Sequence, residues 1–238
     1  MNALRRLFKA AVIVGCLATL VAAAETLPLP ANLIGLGSDA GEKLLIESSA
    51  RQAYWPLSMQ FVTQKNQAFC GVATMVMVLN ALGVSAPATP GIEPFTAFTQ
   101  DNVLNEKTEL ILSQSVLAKK GMTLDQFGKL MQTYGVSTQI NHAAASTVDQ
   151  FRVSAVKYLN APKHHVVVNY LRRTLGQERG GHISPLAAYD PKTDRFLILD
   201  VSRYKYPPVW VKTDDLFSAM NTVDDDNDGQ TRGFVLIE

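Results

Sequence analysis

Cysteine is scarce in this chain, with two in 238 residues. The first, Cys16, sits in an N-terminal stretch that does not read as fold, so Cys70 is the only thiol expected in the mature protein. That excludes an intramolecular disulfide. It also makes a poor soft-metal site, which recruits several thiolates. Excess charge is missing too. Lys and Arg number 22 against 21 Asp and Glu, and no basic stripe suggests nucleic acid. There is no internal repeat and no low-complexity tract. What is present, 47% hydrophobic and 18% charged residues, is the composition of an ordinary globular chain with room for one full core.

The first residues, MNALRRLFKAAVIVGCLATLVAAAE, have the build of a secretory signal. Arg5, Arg6 and Lys9 form a positive start, an apolar run follows from Ala10 to about Ala23, and cleavage is expected after Ala24. The run is short for a membrane span of about 20 residues. A lipoprotein box ending at Cys16 and an uncleaved anchor are the rival readings. Loss of residues 1–24 removes three basic and no acidic side chains, taking the formal charge from +1 to −2. The expected organisation is a signal over 1–24 and a single domain over 25–238, exported and, in a two-membrane bacterium, periplasmic.

The first half of the domain reads helical. Helices are expected over 41–55, ending before Pro56, over 71–82 with Gly83 as the C-terminal cap, and over 111–121. Two more open on capping boxes, Thr123 with Gln126 and Thr147 with Gln150. Residues 84–101 read as Pro-rich loop. The second half changes period. Strands are expected over 164–171, 181–189, 195–202 and 233–238, with a hairpin turn at DPKTD (190–194) and a short helix over 213–220. Helices first and an antiparallel sheet second make the class α+β.

Cys70 stands just before the apolar helix. A thiol there feels the positive end of the helix dipole, which favours thiolate, the nucleophilic form. A buried core cysteine is the competing reading. A thiolate needs a base and an orienting group, and the hairpin offers both. If DPKTD is the loop, Tyr189 faces Arg195 and His182 faces Ser202. Asp200 is then on the same sheet face as His182, on a diagonal of roughly 7–8 Å between Cα atoms. A slip of one residue would separate them. Gly180 and Gly181 suit a close backbone approach at a cleft. Gln64, six residues before Cys70, could donate to a developing oxyanion together with the Cys70 N–H; a surface glutamine is the alternative.

NQAFCGVATMVMVLNALG and GGHISPLAAYDPKTDRFLILDVSRYKYPPVWV, followed by MNTVD and RGFVLI, resemble the catalytic domain of phytochelatin synthases. These are papain-like cysteine transferases acting on glutathione. The resemblance runs over about residues 45–238. It implies Cys70 as nucleophile, His182 as base, Asp200 as orienter and Gln64 at the oxyanion site. It further implies a papain-like fold, with the helical half packed on the antiparallel sheet and the site in the cleft between them. No cofactor is required, and heavy-metal ions such as cadmium enter as glutathione-thiolate complexes. For the γ-glutamyl group of glutathione, Arg232 is the expected carboxylate partner, Asp224 or Asp225 the ammonium partner, and Gly181 part of the wall. A solvated acidic loop is an equal reading of the aspartates. The chain stops at Glu238, where eukaryotic members continue into a cysteine-rich region. It thus resembles the short bacterial type, for which hydrolysis to glycine and γ-Glu-Cys is expected to exceed phytochelatin synthesis. A homodimer is suggested by the family alone, and no stable membrane association is expected after signal cleavage.

The signature usual around the cysteine of papain-type endopeptidases is not matched. Two other readings stay open: a different cysteine peptidase or amidase, for example on peptidoglycan fragments, and a non-catalytic module binding thiols or thiol–metal complexes. DDDNDG (224–229) begins like a calcium loop, but its twelfth position is Val235 rather than Glu. His164 and His165 are adjacent in a strand and point apart. His142 reads as a surface loop residue, and the Tyr204–Trp210 aromatic stretch reads as core or cleft rim.

Overall fold

The computed structural model describes residues 26–238 except 90, 92 and 179. The expected signal and Cys16 lie outside the described residues. The helices are α1 (Asp39–Glu47), α2 (Tyr54–Met59), α3 (Cys70–Leu82), α4 (Glu106–Glu109), α5 (Gln114–Lys120), α6 (Leu124–Gln132), α7 (Val148–Leu159) and α8 (Thr213–Met220). The strands are β1 (Ile34–Gly35), β2 (Thr138–His142), β3 (His165–Leu171), β4 (Gly181–Asp190), β5 (Arg195–Ile198), β6 (Val209–Lys212) and β7 (Gly233–Ile237). They form one antiparallel sheet in the order β1-β6-β5-β4-β3-β7-β2. The class is α+β, consistent with a papain-like arrangement. Among the described residues no helix is long and apolar enough to cross a membrane.

The two capping boxes form as expected and open α6 and α7. Gly83 closes α3 in the left-handed region at φ 72°, its N–H donating to Asn80 O. The helix expected over 41–55 is instead two. α1 ends at Glu47, and Pro56 lies inside the first turn of α2, where no intrahelical donor is needed from it. Three strands went unread. β1 has two residues, and β2 and β6 are short. His142 is not in a surface loop: it ends β2, half-buried, with Nε2 3.2 Å from Asp125 Oδ2. Trp210 lies in β6, fully buried, its indole donating to Gly41 O at 3.0 Å.

The part of the sheet that carries His182 is the β4–β5 hairpin. The turn sets Asp190 against Arg195 and Tyr189 against Phe196, one residue away from the expected pairing. A bulge between Leu186 and Ala188 then adds one residue to β4, and Leu186 faces Ile198 in the expected register. Leu199 N continues that register by donating to Pro185 O at 3.0 Å, although β5 itself has ended at Ile198. Asp200 therefore still arrives beside His182. The apolar core beneath is continuous. All ten residues from Cys70 to Leu79 of α3 are buried, and Phe151 of α7 packs its ring 5.1 Å from Phe196 and 4.9 Å from Phe234.

Candidate active site

Cys70 is the first residue of α3. Phe69 at the N-cap offers no side-chain acceptor, so the N–H groups of the first turn keep their positive end uncovered. A Cβ on Gly71 would lie 2.4 Å from Met122 Sδ, so any larger residue would have to displace that methionine side chain. One turn on, Thr74 donates to Ile183 O at 3.1 Å, fastening the head of α3 to β4 beside His182. Cys70 is buried at 8% exposure, yet it lines a small recess that opens next to His182.

His182 Nε2 lies 2.9 Å from Asp200 Oδ1 and 2.9 Å from Ser184 Oγ. Nδ1 takes part in neither contact, and the ring lines the same recess as Cys70. Tyr170, its cross-strand partner, packs edge-on to the imidazole at 5.6 Å and 81°. Asp200 is wholly buried. It accepts from Ser202 N at 2.8 Å and is gripped by Arg172, whose Nη2 and Nη1 each lie 2.8 Å from a carboxylate oxygen. Arg172 opens a 3₁₀ turn directly after β3, donates to Gln177 Oε1 at 2.8 Å, and has its guanidinium 5.3 Å from the Tyr206 ring centroid.

The electrostatics run in one direction. Burial pushes the Cys70 thiol up, but the hydrogen bond and charge of His182, the Ile183 backbone and the charge of Arg172 together bring it below its ordinary value. Burial and Arg172 push His182 down, and Asp200 and Cys70 outweigh them, so the imidazole ends above its ordinary value. Burial pushes Asp200 up, while His182 and Arg172 hold it well below the usual carboxylate range. A depressed thiol facing an elevated imidazole is the condition for a thiolate–imidazolium pair.

Two recesses of about 90 Å³ each meet at Gln67, Gly181 and His182. Cys70 and Arg232 line the first, Gln64 and Arg172 the second. Gln64 is buried; its amide donates to Asn66 O at 2.7 Å and Tyr204 Oη at 3.1 Å, and its Oε1 has no partner. Arg232 is buried on the opposite side. Its Nη2 lies 2.8 Å from both oxygens of Asp224, and Nη1 donates to Asn169 Oδ1 at 2.6 Å. A Cβ on Gly181 would lie 2.4–2.6 Å from that guanidinium, so glycine lets Arg232 reach the cleft. Of the acidic loop, Asp226 lines the Cys70 recess, whereas Asp225 lines an adjoining groove with Lys120 and Met122. Asn227 is a clamp: buried, it accepts from Leu124 N and donates to Thr231 O, each at 3.0 Å. Among the described residues no group of three or more His, Cys, Asp and Glu is placed to hold a metal ion.

Sequence reasoning brought together Cys70, His182 and Asp200. It missed Arg172, Ser184, Asn169 and Met122. Arg172 and Asn169 carry a faint signal, since polar residues at the end of an apolar strand must find partners.

A buried thiol at a helix head, with an imidazole and a carboxylate presented by an antiparallel sheet, places the protein in the papain-like class of α+β proteins. A model of the phytochelatin synthase family matches residues 24–234. The chain is 34% identical over 214 residues to glutathione gamma-glutamylcysteinyltransferase 1 of Lotus japonicus, covering 89% of this chain and 41% of that protein. It is 33% identical over 192 residues to glutathione gamma-glutamylcysteinyltransferase 2 of Arabidopsis thaliana, covering 81% and 41%. With the glutathione gamma-glutamylcysteinyltransferase of Schizosaccharomyces pombe it shares 30% identity over 213 residues, covering 88% and 50%. The chain thus spans half or less of the length of these relatives. It belongs to the phytochelatin synthase family.

Proposed function

We propose that this protein is a glutathione γ-glutamylcysteine dipeptidyl transferase and hydrolase, with Cys70 as nucleophile, His182 as acid and base and Asp200 as orienter. The observation that carries the reading is the Cys70–His182–Asp200 constellation, in a chain whose relatives bear that transferase name. The Cys70 thiolate adds to the carbonyl joining the cysteine and glycine of glutathione. The negative oxygen is met by N–H groups at the head of α3, with Gln64 turning its amide from Tyr204. His182 passes its proton to the glycine nitrogen, the C–N bond breaks, and γ-Glu-Cys stays on Cys70 as a thioester. Neutral His182 then takes a proton from water, releasing γ-Glu-Cys, or from the amine of a second glutathione, forming phytochelatin.

Hydrolysis is the main outcome in this proposal, and chain extension the minor one. Arg232 holds the γ-glutamyl carboxylate if Asp224 yields part of its grip, Asp225 or its neighbour Asp226 meets the ammonium, and Gly181 keeps the wall thin. Metal ions such as cadmium reach the site as substrate, bound by glutathione thiolates. Incubation with glutathione under reducing conditions should release glycine and γ-Glu-Cys, and Cys70→Ser should release neither. An intact protein that leaves glutathione untouched, or a Cys70→Ser variant that still turns over, would falsify the assignment.

A further inference from the structure

The carboxylate that orients His182 does not stand alone. In addition to the imidazole, Asp200 carries a guanidinium on two 2.8 Å approaches, and that guanidinium is 3% exposed, bonded to Gln177 and layered on Tyr206. No substrate contact is needed to hold it there, because the 3₁₀ turn after β3 and the Arg172 N to Gly180 O bond, 3.0 Å, fix its backbone. The charge count explains the arrangement. A thiolate, an imidazolium and Asp200 sum to a buried net negative charge, which low dielectric disfavours. Adding Arg172 brings the group to neutrality.

We propose that Arg172 is a positioning residue whose buried positive charge holds Asp200 in place and lets Cys70 carry its negative charge without water. The inference rests on the thiol–imidazole–carboxylate reading, and not on glutathione as substrate. Among the described residues, the other titratable or charged groups around the site are Tyr170 and Tyr206, packed on the guanidinium, Lys120, Asp226 and Arg232 on the Cys70 side of the cleft, and Lys205 on the Gln64 side. None of them touches Asp200 as Arg172 does. The charge of Arg172 draws the thiol down, so its loss must raise the pH at which thiolate forms.

The test is the pH dependence of Cys70 alkylation by iodoacetamide, measured without glutathione so that it stands apart from the substrate assignment. In Arg172→Met the midpoint should move up by roughly one pH unit. In Arg172→Lys, which keeps the charge and loses the two-pronged grip, the midpoint should stay within a few tenths of a unit while turnover falls about tenfold. A merely structural arginine would lower activity in both variants and shift the midpoint in neither. An unmoved midpoint in folded Arg172→Met overturns the proposal. Should that variant not fold, a midpoint in Arg172→Lys displaced by a full unit overturns it equally.

Discussion

Two arginine–aspartate pairs with buried guanidinium groups flank the Cys70 cleft, and they differ in what the carboxylate faces. In Arg172–Asp200 the carboxylate is fully buried and turned to the imidazole. In Arg232–Asp224 the carboxylate side chain is 19% exposed, and the guanidinium turns to Asn169 and to the bare backbone of Gly181 at the cleft wall. In the proposed reaction the same chemical pair does two jobs. There the first, sealed from water, sets protonation, and the second, at the edge of the recess, exchanges its partner for an incoming anion.

The comparison breaks first at Asp200. Asp200→Ala leaves Arg172 buried without its carboxylate and His182 without an orienter. Turnover should fall roughly 10³-fold or more, and urea unfolding should show a loss of about 3–5 kcal/mol. If Asp224→Ala costs as much in both measurements, the distinction between the pairs fails.

Gly181→Ala sharpens the contrast. Its methyl group would enter the space of the Arg232 guanidinium and leave Arg172 untouched. KM for glutathione should rise about tenfold, the worth of one charge-assisted hydrogen bond, while the pH midpoint of Cys70 alkylation stays where it was. A moved midpoint would mean that the second pair also governs protonation.

The smallest effect on turnover is expected at a group in neither pair. His165 at the start of β3 is buried with both ring nitrogens unpartnered, and burial brings it down to about 4 from 6.5. The unfolded chain therefore binds the extra proton first, and stability falls as pH drops from 6.5 towards 4. His165→Leu should leave kcat unchanged at neutral pH and remove about 3 kcal/mol of that acid sensitivity. Denaturation curves at several pH values read this directly, and an unchanged slope would show that His165 is not its source.

Local chemistry was the legible part of the sequence. Thr123 with Gln126 and Thr147 with Gln150 satisfy helix N–H groups within four residues, so the string alone reveals them. The break between α1 and α2 was hidden, because Pro56 is tolerated in a first turn and 41–55 keeps an unbroken apolar pattern across the gap. The site was legible for a partly fortunate reason. The pairing expected at the turn is off by one, and the bulge at Ala187 cancels the error before His182. Arg172 could not be found this way, since its bond to Asp200 arises only when the end of β3 meets the segment that follows β5. The two-pronged donor geometry of arginine makes Arg232 a readable carboxylate partner, but its bond to Asp224 is a tertiary fact.

The additional residue at Ala187 divides the hairpin into two alignments. Everything outward of it, from Ala188 around the tip at Pro191 and Lys192 to Leu197, keeps one alignment, and everything inward keeps another. A splice between Pro191 and Lys192, whose side chains face solvent, lies at the far end of the hairpin from His182, and it would have to keep the bonds of Asp190 to Thr193 and of Asp194 to Arg152 and Thr213 that close the turn. An epitope carried there with those bonds intact is expected to leave turnover unchanged.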